Sequence, residues 1–70
     1  MDPVEELANS LEPIVDKEGI ARVLEALAYL CEAKKEHILS SWGDQALARS
    51  WGRVAGKVTQ AARTAAPERL

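Results

Sequence analysis

Phenylalanine is absent, and one tyrosine and two tryptophans are the only aromatics among 70 residues. A core built from this chain must be aliphatic and rich in alanine. Small side chains remove little apolar area from water, at roughly 25 cal/mol per Å², while each ordered residue costs roughly 1.5 kcal/mol. The two sums nearly cancel for a chain near the lower size limit of a self-sufficient domain. No disulfide can make up the difference, because Cys31 is the only cysteine. A metal framework is equally unsupported: His37 is the only histidine, and Glu36, Cys31 and Asp44 form no recognised ligand spacing with it. Cys31 and His37 are six residues apart, which separates them by about 120° on a helix. Association of two copies is the natural remaining source of stability.

Also missing are a basic start followed by an apolar run, as in a signal peptide, and any uncharged stretch near the ~20 residues that span a bilayer. The expected setting is the cytoplasm, without a membrane. No constellation for nucleophilic, acid–base or cofactor chemistry appears, so neither an enzyme nor a cofactor is expected.

What is present is helical. Ile20 to Ser41 is the most apolar stretch, with Arg22, Glu25, Tyr29, Glu32 and Glu36 as its narrow polar stripe at steps of three and four. Ile20, Leu24, Leu27, Cys31 and Ile38 define a seam, widened by Val23, Leu30 and His37 on one flank and by Ala21 and Ala28 on the other. Cys31 falls on this apolar side, where a free thiol behaves as a small hydrophobe. So much apolar surface needs covering from more than one direction.

Ahead of it, Asp2, Pro3 and Glu5 read as a helix start, with Val4, Leu7, Ala8 and Leu11 on one face. Pro13 should stop this helix, leaving Ile14 to Gly19 as a connector that Gly19 ends. Behind it, Asp44 is the better N-cap for a third helix over Gln45 to Ala66, with Ser41 as the alternative, and Pro67 ends it. The spacing places Leu47, Trp51, Val54, Val58, Ala61 and Ala65 in its seam. Residues 1–66 thus form a single helical domain and 67–70 a disordered tail. The expected fold is all-α: a short N-terminal helix and an antiparallel two-helix hairpin, dimerising into a four-helix bundle. A tripeptide SWG occurs at 41–43 and 50–52, a coincidence that matches no repeat unit.

Charge is divided along the chain. Residues 1–43 carry nine acids against four bases, a net −5, and residues 44–70 carry five bases against two acids, a net +3. Arg49, Arg53 and Lys57 form a row one turn apart, with Arg63 further round. Such a row can track nucleic-acid phosphates. The reading we favour pairs it internally with Glu18, Glu25 and Glu32 of the central helix, because the whole chain is acidic at a pI near 5.3. A helix-turn-helix is not expected, on other grounds. Its recognition helix would have to be the most apolar helix of the chain. Gly52 and Gly56 sit in helix interior at a cost of about 1 kcal/mol each relative to alanine, which either close approach of a partner helix or a flexible third helix would explain.

The candidate partner surface is the polar stripe Arg22, Glu25, Tyr29 and Glu32, together with Trp42 at the corner between helices. The class this defines is a small protein-interaction or regulatory module; the alternative is a nucleic-acid-binding accessory protein using Arg49, Arg53, Lys57 and Arg63.

The segments Val23–Ala28, Cys31, Glu36–His37, Trp42 with Asp44, and Ala46–Trp51 carry a resemblance. Through them the run from Gly19 to Ala55, about half the chain, resembles small helical proteins of bacterial and phage genomes to which no activity is attached. The shared motifs are packing motifs. The resemblance implies a compact domain and no particular function.

Overall fold

A computed structural model describes residues 2–70. Three helices are present: α1, Pro3–Glu18; α2, Ile20–Ser41; and α3, Gln45–Ala65. A single 3-10 turn follows at Ala66–Glu68. No strand occurs among the described residues.

The helix boundaries follow from capping chemistry. The Asp2 carboxylate accepts from the Val4 amide at 2.7 Å, and that of Asp44 from the Leu47 amide at 3.0 Å. Each satisfies an amide that a helix start leaves without a partner. At the end of α2 the Gly43 amide donates to the Ile38 carbonyl at 2.9 Å, with Gly43 at φ +68°. This six-to-one bond turns the chain back on itself and makes α2 and α3 an antiparallel hairpin. Between α1 and α2 only Gly19 is non-helical, and its amide closes α1 on the Val15 carbonyl at 2.7 Å.

Pro13 does not end the first helix. It lies inside α1, which continues through Ile14 to Glu18 where the sequence suggested a connector. The ring removes one amide donor and so leaves the Asn9 carbonyl unpaired. Asn9 and Pro13 both face solvent, on the side of α1 away from its apolar stripe, so water can serve that carbonyl. The cost is then confined to one turn, and the helix survives it.

The core sits between α2 and α3. Val23, Ala28, Cys31 and Ile38 are the buried residues of α2, and Ala48, Ala55 and Ala62 those of α3. The three alanines are seven apart, as in a two-helix seam. This seam is rotated by one residue from the expected one. Trp51, Val58 and Ala65 are half-buried at its edge, while Leu47, Val54 and Ala61 are exposed. On α2, Leu27 is likewise exposed and Leu24 only half-buried. Small side chains let the helix axes approach, and the large ones are displaced to the flank.

The two glycines of α3 differ. A Cβ on Gly52 would lie 3.5 Å from the aliphatic stem of Lys35, so this position is where α2 reaches over α3. A Cβ on Gly56 would meet nothing within 4 Å. We therefore expect Gly56→Ala to stabilise the protein by about 1 kcal/mol, because helix propensity is gained without a steric penalty. Urea denaturation at fixed protein concentration measures this; an unchanged or lower midpoint would contradict it.

The remainder is open. Helix α1 contributes no buried residue, and only its Leu11, Val15 and Glu18 are half-buried, near α2. It makes no contact with α3 among the described residues. The molecule is a plate of 38 × 33 × 15 Å with a radius of gyration of 14.0 Å. A compact chain of this length would have a radius near 11 Å. Beyond α3, the Leu70 main-chain oxygen accepts from the Ile20 amide at 2.9 Å.

Candidate interaction surface

Arg22, Glu25, Tyr29 and Glu32 stand on successive turns of α2, and all four are exposed. Arg22, Tyr29 and Glu32 lie on the side of the helix turned away from Cys31 and Ile38, which face α3, and Glu25 stands at the rim of the cleft between α2 and α3. The spacing that excludes them from the core also gathers them into one ridge, about 15 Å long at 1.5 Å per residue. Tyr29 is 76% exposed at its centre. Its phenol presents an apolar ring with a hydroxyl that both donates and accepts, between one cation and two carboxylates. Two members are held by neighbours on the same surface. Arg22 donates to Glu18 at 3.2 Å, joining the ends of α1 and α2, and Glu32 lies 4.0 Å from the Lys35 ammonium. Exposed pairs of this kind fix side-chain direction more than they add stability.

Trp42 is 75% exposed at the C-cap of α2. It does not join the ridge: thirteen residues of helix separate it from Tyr29, about 20 Å along the axis. A partner touching both would have to run along α2.

The hairpin has two unlike faces. On one, Glu25, Ala28, Thr59, Ala62 and Arg63 line a cleft of about 250 Å³ between α2 and α3. Rotation by ~100° per residue about each axis places Leu27 and Leu30 of α2 and Trp51 and Val54 of α3 toward the other face. There Leu30 is 55% exposed, and Leu47, Ser50, Trp51 and Val54 line a shallow apolar depression. That apolar flank escaped the sequence reading, which had assigned Leu47 and Val54 to the internal seam.

Arg49, Arg53 and Lys57 are exposed on the outer side of α3, and Arg63, also exposed, lies at the cleft between α2 and α3. The pairing expected between them and Glu18, Glu25 and Glu32 is not formed: the only ion pairs among the described residues join Arg22 to Glu18 and Lys35 to Glu32. The cause is directional. The rotation that buries Ala48, Ala55 and Ala62 turns the basic row away from α2. Arg53 donates instead to the Ser50 hydroxyl at 3.0 Å.

Cys31 is buried in the seam, and His37 is exposed with its Nδ1 3.5 Å from the Ser41 hydroxyl. No group of three or more His, Cys, Asp or Glu side chains able to hold a metal occurs among the described residues. No helix of the described residues is long and apolar enough to cross a membrane. No family model, curated protein or solved structure matches the chain.

Proposed function

We propose that this chain is a non-catalytic helical interaction module, acting in the cytoplasm as a homodimer and binding a protein partner through helix faces. The observation that carries the reading is the solvent-facing ridge centred on Tyr29, an aromatic anchor flanked by charges of both signs on a rigid helix. Tyrosine, tryptophan and arginine are the residue types that dominate interface energetics when they become buried. Small inhibitors and accessory subunits of bacterial or phage origin are the class to which such a module belongs. Dimerisation would bring two hairpins into a four-helix bundle and cover the apolar flank that each leaves open.

Comparative affinity purification tests the partner. We expect the wild-type chain to retain a protein that Tyr29→Glu does not, and the purified pair to lose about 2 kcal/mol of binding energy on Tyr29→Ala. Identical recovery by both baits would contradict the assignment of the ridge.

One observation favours a second reading, nucleic-acid binding through α3. Arg49, Arg53, Lys57 and Arg63 give that helix four positive charges and no negative one, and none joins an ion pair among the described residues. A mobility shift at ~50 mM salt that fades steeply as salt rises would support it, and no shift at that salt would remove it.

A further inference from the structure

The helix that packs least carries a complete apolar stripe. Val4, Leu7, Leu11 and Ile14 follow one another along α1 at steps of three, four and three, and Val4, Leu7 and Ile14 are exposed. On α3, Leu47, Val54 and Ala61 recur every seven residues on the flank beside the seam, also exposed, with Trp51 and Val58 half-buried between them. Each stripe has the period of a two-helix seam. The end of the α1 stripe lies beside α2, where Leu11 and Ile14 line an apolar groove with Val23, Ala26 and Leu27, but Val4, Leu7 and the flank of α3 have no helix over them. Within one chain the two cannot meet. Gly19, at φ +84° and ψ +151°, directs α1 away from α3, and the two helices make no contact.

We propose that α1 is an exchanged arm: in the dimer, α1 of each copy lays its apolar stripe along the outer flank of α3 of the other copy. This rests on the dimeric reading above and, at the flank of α3, puts α1 of the other copy in place of hairpin-on-hairpin packing. Charge argues for this occupant. Residues 2–18 carry six acids against Lys17, a net −5, whereas α3 carries four bases and no acid. The signs also match at the edges. Glu5 and Glu12, seven apart, border the stripe of α1, and Lys57 borders that of α3 with Arg53 beyond it. A second copy supplies the complement to both helices at once. A two-fold arrangement lets the exchange close with two equal contacts and leaves no free arm to propagate.

The surface area agrees. The chain exposes 5559 Å², where a compact monomer of 7.6 kDa would expose about 4,300 Å². The excess exceeds the roughly 800 Å² that each partner buries in an interface of standard size. Two arms and their acceptor flanks can therefore be covered with the surface that this open shape leaves over.

Sedimentation equilibrium of the full chain separates the possibilities. Wild type should be a dimer, and both Leu7→Glu in the arm and Val54→Glu in the acceptor should weaken association at least about tenfold. Both positions are exposed in the single chain, so helix content should be unchanged; should Leu7→Glu lower it, Leu7→Ala removes the stripe while favouring helix. Mixing the two variants should restore part of the association, because the mixed dimer keeps one intact arm on one intact flank. A dimer indifferent to Leu7→Glu and Leu7→Ala, or variants that fail to complement when mixed, would overturn the exchange and leave the dimer standing. A wild-type chain that is monomeric at ~100 µM would overturn both.

Discussion

Ala55→Leu is expected to lower stability by about 3 kcal/mol, the largest effect of any single conservative change in the hairpin. Ala55 is 1% exposed at the centre of α3, one of three alanines through which that helix meets α2. Its neighbours on the same face are Gly52, against which the stem of Lys35 already lies, and Thr59. An isobutyl group there has no unfilled space to enter, so the helix axes must separate and expose the packing around Cys31 and Ile38. A chain of this size has a total stability of only roughly 3–10 kcal/mol. The loss should therefore appear as a fall of more than ~10 °C in melting temperature at fixed protein concentration. Val54→Leu, on the adjacent exposed position, is the control and should change stability by less than ~0.5 kcal/mol. Equal effects at the two positions would mean that α3 is rotated to the register that hydrophobicity alone suggests.

That contrast shows where the sequence was legible. The start of α3 could be read from the sequence, because capping depends on local chemistry: the Asp44 carboxylate accepts from the Leu47 amide whatever packs against it, whereas the positive φ of Gly43 that ends α2 was not singled out. The rotation of α3 could not be read the same way. Two stripes one residue apart share the seven-residue period: a large one at Leu47, Val54 and Ala61, and a small one at Ala48, Ala55 and Ala62. Ranking by hydrophobicity selects the first, and close axial approach selects the second. Gly52 was the available signal, since a glycine at a helix crossing indicates that small residues form the contact.

Pro13 misled for a related reason. Its effect depends on whether the orphaned carbonyl reaches water, which the rest of α1 decides. The internal charge pairing failed with the rotation, since the same turn that buries the alanines carries Arg49, Arg53 and Lys57 outward. For the candidate surface, periodicity correctly gathered Arg22, Glu25, Tyr29 and Glu32. It gave no measure of the distance to Trp42, which the length of α2 sets.

Gly19→Ala is expected to cost about 2–3 kcal/mol and to affect the arm more than the hairpin. At φ +84° and ψ +151°, Gly19 occupies a backbone region that is essentially closed to residues with a Cβ. The site is also crowded, because an added Cβ would lie 2.9 Å from the Leu70 main-chain oxygen that accepts from Ile20. Relief can come in two ways. The tail can detach, which frees the Ile20 amide and leaves the direction of α1 unchanged. Alternatively the backbone at residue 19 can rotate to negative φ, which swings α1 as a rigid rod about its last turn. Only the second removes the strain at φ itself. It also breaks the Arg22–Glu18 pair and withdraws Leu11 and Val15 from α2. Amide hydrogen exchange distinguishes these outcomes. Loss of protection confined to α1 and the start of α2, with Ala48 to Ala62 of α3 unaffected, is the expected pattern. Uniform loss would mean instead that Gly19 supports the hairpin as a whole. If α1 is the arm that joins two copies, the same substitution should also weaken the dimer without altering either of its contact surfaces. The direction in which Gly19 launches the helix would then determine association as strongly as the residues that touch.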